Sequence, residues 1–178
     1  MLMMKRICFI FFLIFSASLY AERDTRWVEI GEGTYEQGFL FPYKIKLSVP
    51  YGVKNIDEIK QGLFPVKIEL DWLLIQYSKE DVGKLFYRQF KDKFKDKEES
   101  FRLSQHIINM FLNKLPSVQK HDHWTFIYYP DEGMRLFIDG KKIYHLVGAE
   151  LNRALLQSWL SNNPVLTSKL FSRILKIK

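Results

Sequence analysis

The sequence predicts an α+β protein in which helices cover one face of an antiparallel β-sheet. Two stretches, Phe41 to Val49 and Val66 to Trp72, alternate apolar and polar residues with a period of two, as strands with one buried face do. A pair of helical segments separates them from further strands that begin after Pro116, and more helices close the chain. This order favours an antiparallel sheet with a helical layer, an open-faced sandwich.

The first residues have the pattern of a cleavable signal peptide. Lys5 and Arg6 precede an apolar run that is too short to span a bilayer and gives way to small residues. We expect residues 1–21 to be removed after Ala21, with a cut after Ser18 as the alternative. The remaining residues, 22–178, are then one domain located in the periplasm.

Composition excludes several classes of protein. The only cysteine, Cys8, lies inside the apolar run, so the exported domain contains no disulfide, cysteine zinc site or cysteine nucleophile. The formal net charge is +7, but the basic residues alternate with acidic ones, as in residues 91–99. A solvated helical face accounts for such a segment, so we expect no nucleic-acid partner.

The strands before the helix pair are interrupted by glycine. Trp27 to Ile30 and Thr34 to Phe39 are predicted as two short strands of a meander, broken by glycines at 31, 33 and 38. Pro42 predicts a strand start or an edge position, because proline cannot donate to the ladder. The segment Pro50 to Gly62 is predicted as a loop with a helical turn.

Helical spacing follows Ser78, which is placed to cap the backbone amide of Asp81. A second helix ends at Pro116, and the two form an αα-hairpin that needs a sheet to cover its apolar faces. The apolar residues of this pair include Val82, Leu85, Phe86, Phe90, Phe94, Phe101, Ile108, Phe111, Leu112 and Leu115.

The C-terminal third alternates again before it closes on helices. Strands are predicted at Trp124 to Tyr129, Met134 to Ile138 and Lys141 to Leu146, the last two joined by an Asp139-Gly140 turn. A helix from about Ala149 to Leu160 and a short basic amphipathic helix follow. The short helix either packs on the domain or contacts a membrane or protein partner.

Sequence motifs for catalysis and cofactor binding are absent, so no cofactor and no catalytic residue is predicted. The strongest metal candidate is His121-Asp122-His123, since alternate strand residues point the same way. No third ligand is evident nearby. A role at a turn or strand entry is the preferred interpretation, and no metal site is predicted.

Four residues are candidates for binding a ligand. Tyr35, Tyr43 and Tyr128 lie in strands and each carries a hydroxyl able to face a pocket. Arg135 lies in a strand, where a buried guanidinium would bind a carboxylate, although the alternation puts it on the face opposite Leu136.

Several segments resemble the bacterial chalcone isomerase-like domain, an exported branch of the chalcone isomerase superfamily. The likeness covers most of the chain after the signal peptide. Within the third segment, Pro116, Val118, Asp122, Pro130, Gly133, Gly140 and Lys141 keep the family's positions, whereas Ser117, His121 and Asp139 depart from them. The segments are Gly31 to Pro50, Phe64 to Trp72, Leu115 to Ile143 and Glu150 to Leu160.

The resemblance implies a cleft between the sheet and the helices. In the isomerases and fatty-acid-binding members, an arginine on an early strand binds an anionic oxygen there, but Thr34 to Leu47 contains no arginine. We therefore expect a non-catalytic protein that binds an apolar ligand such as a fatty acid in that cleft. The alternatives are an intramolecular lyase of the chalcone isomerase type and an envelope interaction protein without a ligand.

The aromatic residues of the helix pair and of the strands beneath it predict the shape of this cleft. We expect a narrow, mostly apolar void with one or two polar groups at its mouth. Full interdigitation of the rings would instead favour the interaction protein.

Overall fold

The computed structural model describes residues 25–161 and 163–175. The predicted signal peptide, residues 1–21, lies outside them. Six strands form one antiparallel sheet in the order β1-β2-β3-β6-β7-β8, and β4 pairs with β5 in a second, two-stranded sheet. The strands are β1 (Trp27–Gln37), β2 (Leu40–Pro50), β3 (Val66–Trp72), β4 (Gln76–Tyr77), β5 (Val118–Gln119), β6 (His123–Tyr129), β7 (Gly133–Ile138) and β8 (Lys141–Leu146).

Helices cover one face of the six-stranded sheet, which confirms the predicted fold class. The predicted αα-hairpin is present as α2 and α3, and the predicted turn in the loop after β2 is α1. In the described residues no helix is long and apolar enough to cross a membrane. The helices are α1 (Ile56–Lys60), α2 (Lys79–Lys93), α3 (Glu98–Leu112), α4 (Ala149–Leu160), α5 (Pro164–Leu170) and α6 (Ser172–Leu175).

The core lies between the sheet and α2, α4 and α5. Alternation along β3 buries every second residue, and the partners on β2 and β6 continue the same apolar face. On α2, Ser78 Oγ accepts from the backbone amide of Asp81 at 3.2 Å, so the predicted cap is confirmed. The cap fixes where α2 begins, and with this start the side chains of Phe86 and Phe90 face the core, where both are fully buried.

The first strand differs from the predicted meander, because β1 is continuous through two of its glycines. A Cβ at Gly31 would collide with the backbone carbonyl oxygens of Lys169 and Leu170 on α5, and one at Gly33 would collide with the Leu166 side chain. The two glycines therefore allow α5 to approach the strand and do not break it. Of the three predicted breaks only the one at Gly38 is present, as a turn in which the φ of Gly38 is +61°.

The C-terminal helices pack on the domain. Leu166, Leu170 and Phe171 are almost fully buried against β1 and the rest of the core. Arg173 reaches back to Glu29, whose carboxylate oxygen lies 2.7 Å from Nη2. The apolar side of the predicted basic helix is thus used inside the domain.

Close packing of α5 on β1 gives a first prediction. Replacing Gly31 by alanine should lower the free energy of unfolding by about 1 to 3 kcal/mol, because backbone cannot move aside as a flexible side chain can. Gly83 on α2 is the matched control, since a Cβ there meets nothing within 4 Å and alanine favours a helix. Urea denaturation of both variants is the measurement. A Gly31 variant as stable as the wild type would contradict the account.

The other face of the sheet is polar. His123 Nδ1 lies 2.7 Å from Asp71 Oδ1, and Lys46 Nζ lies 3.5 Å from the other oxygen of the same carboxylate. Lys67 pairs with Glu69 at 3.1 Å. Burial raises the pKa of Asp71, but the His123 hydrogen bond and the positive charge of Lys46 outweigh it and lower the pKa below its usual value.

Candidate functional site

A buried polar cluster lies between the sheet and the helices, centred on Tyr43 of β2. The Tyr43 hydroxyl accepts from Gln89 Nε2 of α2 at 2.8 Å and from Trp159 Nε1 of α4 at 2.9 Å. Ser158 Oγ donates to Gln89 Oε1 at 3.3 Å. All four residues are at most 1% exposed. One phenol thus connects the sheet to two helices in a region that is otherwise apolar.

Tyr35 of β1 lies directly beside Tyr43. Their positions pair across the two strands, and the rings stack with centroids 5.0 Å apart and planes 15° apart. Burial raises the pKa of Tyr35, an effect only partly offset by its hydrogen bond with Gln89. Burial raises the pKa of Tyr43 well above its usual value, and the neighbouring Tyr35 adds to the effect. Both phenols therefore stay neutral in the folded protein at any ordinary pH.

These shifts predict a loss of stability in alkali. In the unfolded chain Tyr35 and Tyr43 ionise near pH 10, whereas in the folded protein burial keeps their protons bound. Above that pH the unfolded state binds fewer protons, so the free energy of unfolding falls as pH rises. Urea denaturation at pH 9 and pH 11 measures the slope. It should be shallower in a Tyr43→Phe variant, and an equal slope would show that Tyr43 contributes nothing to it.

An aromatic layer extends from this cluster across the sheet. Trp72 of β3 meets Tyr43 edge to face at 5.2 Å, and Trp124 of β6 meets Trp72 in the same way at the same distance. Phe86 of α2 stacks over Trp124 at 6.0 Å. Each of these residues is fully buried.

Two donors in this layer have no hydrogen-bond acceptor within the described residues. They are the indole N–H groups of Trp72 and Trp124, both buried. An unpartnered buried donor costs about 1 to 3 kcal/mol, and folded proteins seldom leave one without an acceptor. Both groups belong to neighbouring rings of the same layer.

The rings themselves fill the region where a void was predicted. Phe86 has ring neighbours on α3, β6 and α4 at centroid distances of 5.9 to 6.4 Å. Phe90 meets Phe111 edge to face at 6.0 Å. The side chains predicted to line a void in the layer therefore interdigitate, because the helix pair lies close enough for its rings to reach those of β6.

Open pockets lined by described residues lie at the edges of the helical layer. One of about 450 Å³ lies between α2 and α3, with Tyr87, Phe94 and Phe101 at its walls and Lys91, Lys95 and Arg102 at its rim. A smaller one of about 210 Å³ lies between α2 and α4, and an apolar one of about 380 Å³ lies between α1 and α5.

The four predicted ligand contacts do not all come together. Tyr35 and Tyr43 share the cluster. Tyr128 lies on the same face of the sheet, but its hydroxyl donates to the Gly62 carbonyl at 2.9 Å and fastens the loop after α1. Arg135 lies on the opposite face, where its guanidinium pairs with Glu132 and lies over the Tyr129 ring. Arg135 therefore faces away from the helical layer, and its contact with a ligand stays a prediction that this geometry does not support.

The His121-Asp122-His123 segment forms a turn and the entry to β6, which is the interpretation preferred over a metal site. His121 lies in the turn with φ +78°, and the Asp122 carboxylate accepts from the backbone amide of Gln119 at 2.9 Å. His123 enters β6 and binds Asp71. Among the described residues no group of three or more His, Cys, Asp or Glu side chains is placed to hold a metal ion.

Gln89, Ser158 and Trp159 are the members of the cluster that were not among the predicted site residues. Gln89 is a polar residue on the helical stripe that contains Val82, Phe86 and Phe90. A polar side chain on an otherwise apolar stripe needs a buried hydrogen-bond partner, so this position in the sequence indicates a polar contact in the core. Ser158 on α4 gives the same signal beside Trp159 and Leu155.

Comparisons with known proteins agree with this architecture. A family model described as chalcone isomerase-like matches residues 31–175. The crystal structure of a fatty-acid binding protein from Arabidopsis thaliana superimposes with a TM-score of 0.68, covering 83% of this chain and 86% of that one. At 12% sequence identity this likeness concerns the fold. No curated protein matches the sequence. With the family model covering most of its length, the chain belongs to the chalcone isomerase-like family.

Proposed function

We propose that this chain is an exported, non-catalytic protein that binds an apolar ligand with one polar end, such as a fatty acid, in the aromatic layer between sheet and helices. The observation that carries the proposal is the pair of buried, unpartnered indole donors of Trp72 and Trp124. A carboxyl group held in its neutral form between these rings would supply an acceptor for them, and its hydrocarbon tail would be buried in the same layer. The fold is shared with a plant fatty-acid binding protein.

The cluster around Tyr43 adds a polar boundary to this layer. Its hydroxyl already accepts two hydrogen bonds, and its neutral phenol sits beside the Trp72 ring. Since the rings fill the layer, a ligand there requires neighbouring rings such as Phe86 to rotate away. Binding should therefore quench tryptophan fluorescence more slowly than diffusion alone would allow.

Extraction of the protein purified from the periplasm, followed by mass spectrometry, tests the proposal in its native state. We expect a bound lipid and saturable binding of a fluorescent fatty acid. Trp72→Phe and Trp124→Phe keep an aromatic ring but remove a donor, so each should weaken binding about tenfold. Trp27→Phe, on β1, is the matched control and should bind as the wild type does. The absence of both lipid and binding would overturn the proposal.

A ligand-free interaction protein is the second candidate. The close packing of the rings favours it, because a filled core needs no ligand: Phe86 contacts the rings of β6, and Phe111 contacts both Phe86 and Phe90. The two candidates differ in one result. An interaction protein without a ligand gives no lipid on extraction and binds no fatty acid. Its free energy of unfolding is the same with and without added fatty acid.

Export is part of the proposal and has its own test. The order of Lys5 and Arg6, an apolar run and small residues supports it. The intact mass of the periplasmic protein should correspond to a chain that begins at Glu22, or at Leu19 for the alternative cut. A full-length chain retained in the cytoplasm would contradict export.

A further inference from the structure

The hairpin between β1 and β2 ends in three consecutive apolar residues that the protein leaves in solvent. Gln37 pairs with Leu40, so Gly38 and Phe39 form a two-residue turn. Phe39 is 100% exposed, Leu40 44% and Phe41 50%. Burial begins immediately after them, since Pro42 and Tyr43 lie in the core. The exposure is therefore confined to the tip.

Folding does not account for these residues. Two-residue turns favour glycine, asparagine, aspartate and serine, and only Gly38, with its positive φ, follows that preference. Phe39 gives no packing energy to the domain, Leu40 and Phe41 give only part of theirs, and a run of exposed apolar side chains lowers solubility. Such a run therefore indicates a surface that contacts something apolar outside the chain.

A fourth exposed apolar side chain lies at the same end of the sheet. Leu73, just after β3, donates its backbone N–H to the Pro42 carbonyl at 2.9 Å, which places the loop that follows beside the start of β2. In that loop Ile75 is 86% exposed. We call Phe39, Leu40, Phe41 and Ile75 together the apolar tip.

Positive charge flanks the apolar tip. Lys44 is exposed on β2, three residues after Phe41. Lys120 is exposed on the other side, where its backbone N–H lies 3.5 Å from the Ile75 carbonyl oxygen. Glu36 is the nearby acidic residue on the hairpin. Apolar side chains with lysines beside them match the boundary between the acyl chains and the headgroups of an anionic bilayer.

We propose that the apolar tip inserts into the surface of a phospholipid bilayer that contains anionic lipids. The four side chains of the apolar tip are too few for a stable protein interface, which covers about 800 Å² per partner. They suffice for shallow insertion, where each buried apolar side chain contributes independently. The stacked Tyr35 and Tyr43 lie directly behind the tip on the same two strands, so the tip brings the candidate ligand site to the membrane.

Vesicle flotation of the periplasmic protein tests this surface. The wild type should float with vesicles of phosphatidylcholine and phosphatidylglycerol, and less with phosphatidylcholine alone or in high salt. Phe39→Ser should lower the partition coefficient about tenfold, because the variant lacks the phenyl ring that the wild type buries in the bilayer. Its thermal midpoint should be unchanged, since Phe39 makes no buried contact. Leu103→Ser is the matched control, because Leu103 is 68% exposed on α3, away from the tip.

Three results would overturn the proposal. In the first, the wild type floats with neither kind of vesicle. In the second, Phe39→Ser floats as the wild type does. In the third, Phe39→Ser dissociates an oligomer that the wild type forms, while vesicle binding stays the same. The last result would assign the tip to a second copy of the chain. Lipid extraction and fatty-acid titration are separate measurements, so a failure of ligand binding leaves the vesicle result to be decided on its own.

Discussion

Replacing Phe86 by alanine is expected to lower the free energy of unfolding by about 3 to 5 kcal/mol, the cost of deleting a buried phenyl ring. Phe86 is fully buried and its ring contacts Phe111, Trp124, Phe126 and Trp159, which come from one strand and two helices. The surrounding elements cannot all close on the cavity at once, so most of the cost should remain. Urea denaturation followed by circular dichroism measures it.

The same variant separates a packed core from a binding layer. The cavity left by the Phe86 ring is apolar and dry, and such cavities accept apolar ligands. If the aromatic layer binds fatty acids, Phe86→Ala should bind them more tightly although it is less stable. Phe39→Ala is the control for loss of a phenyl ring and should change stability little, because that ring is fully exposed. A core-sized loss of stability with unchanged fatty-acid affinity would count against the binding layer.

Replacing Tyr43 by phenylalanine is expected to cost about 2 to 4 kcal/mol, although only one oxygen is removed. That oxygen is the acceptor for Gln89 and Trp159, and both donors are buried. Each donor left without an acceptor costs about 1 to 3 kcal/mol, and little room exists for water to replace the hydroxyl. Tyr51→Phe is the matched control, since Tyr51 is 70% exposed.

A double-mutant cycle makes this result specific. Gln89→Leu removes one of the two donors, so combining it with Tyr43→Phe should cost less than the sum of the single changes. Additive losses would mean that the 2.8 Å contact between these side chains does not stabilise the fold. A loss for Tyr43→Phe no larger than that for Tyr51→Phe would contradict the role of the cluster.

The strands and helices were predictable where apolar spacing is regular. In β3 the alternation from Val66 to Trp72 corresponds to the buried and half-buried positions residue by residue. The local pattern predicts a break at Gly31, whereas the residue is a glycine because α5, about 140 residues later in the chain, packs against it. A local pattern carries no information about a helix that approaches from so far along the sequence.

The site was predictable only in part, because polar contacts depend on faces and distances. Tyr35 and Tyr43 were chosen for their hydroxyls, and pairing across β1 and β2 brings their rings together. Arg135 was chosen for its charge, but alternation along β7 turns it away from the helices. Nothing in the local sequence indicates that the indoles of Trp72 and Trp124 lie side by side without acceptors, since they come from strands about 50 residues apart.

Nuclear magnetic resonance of the indole N–H groups tests the central claim most directly. The chain has four tryptophans, so four signals are assignable by single Trp→Phe substitutions. On titration with a fatty acid, the signals of Trp72 and Trp124 should move downfield as their hydrogens gain an acceptor. The Trp159 signal should move little, because this indole N–H already donates to the Tyr43 hydroxyl. The Trp27 signal should also move little. If the Trp72 and Trp124 signals stay in place at saturating fatty acid, the aromatic layer is not the binding site.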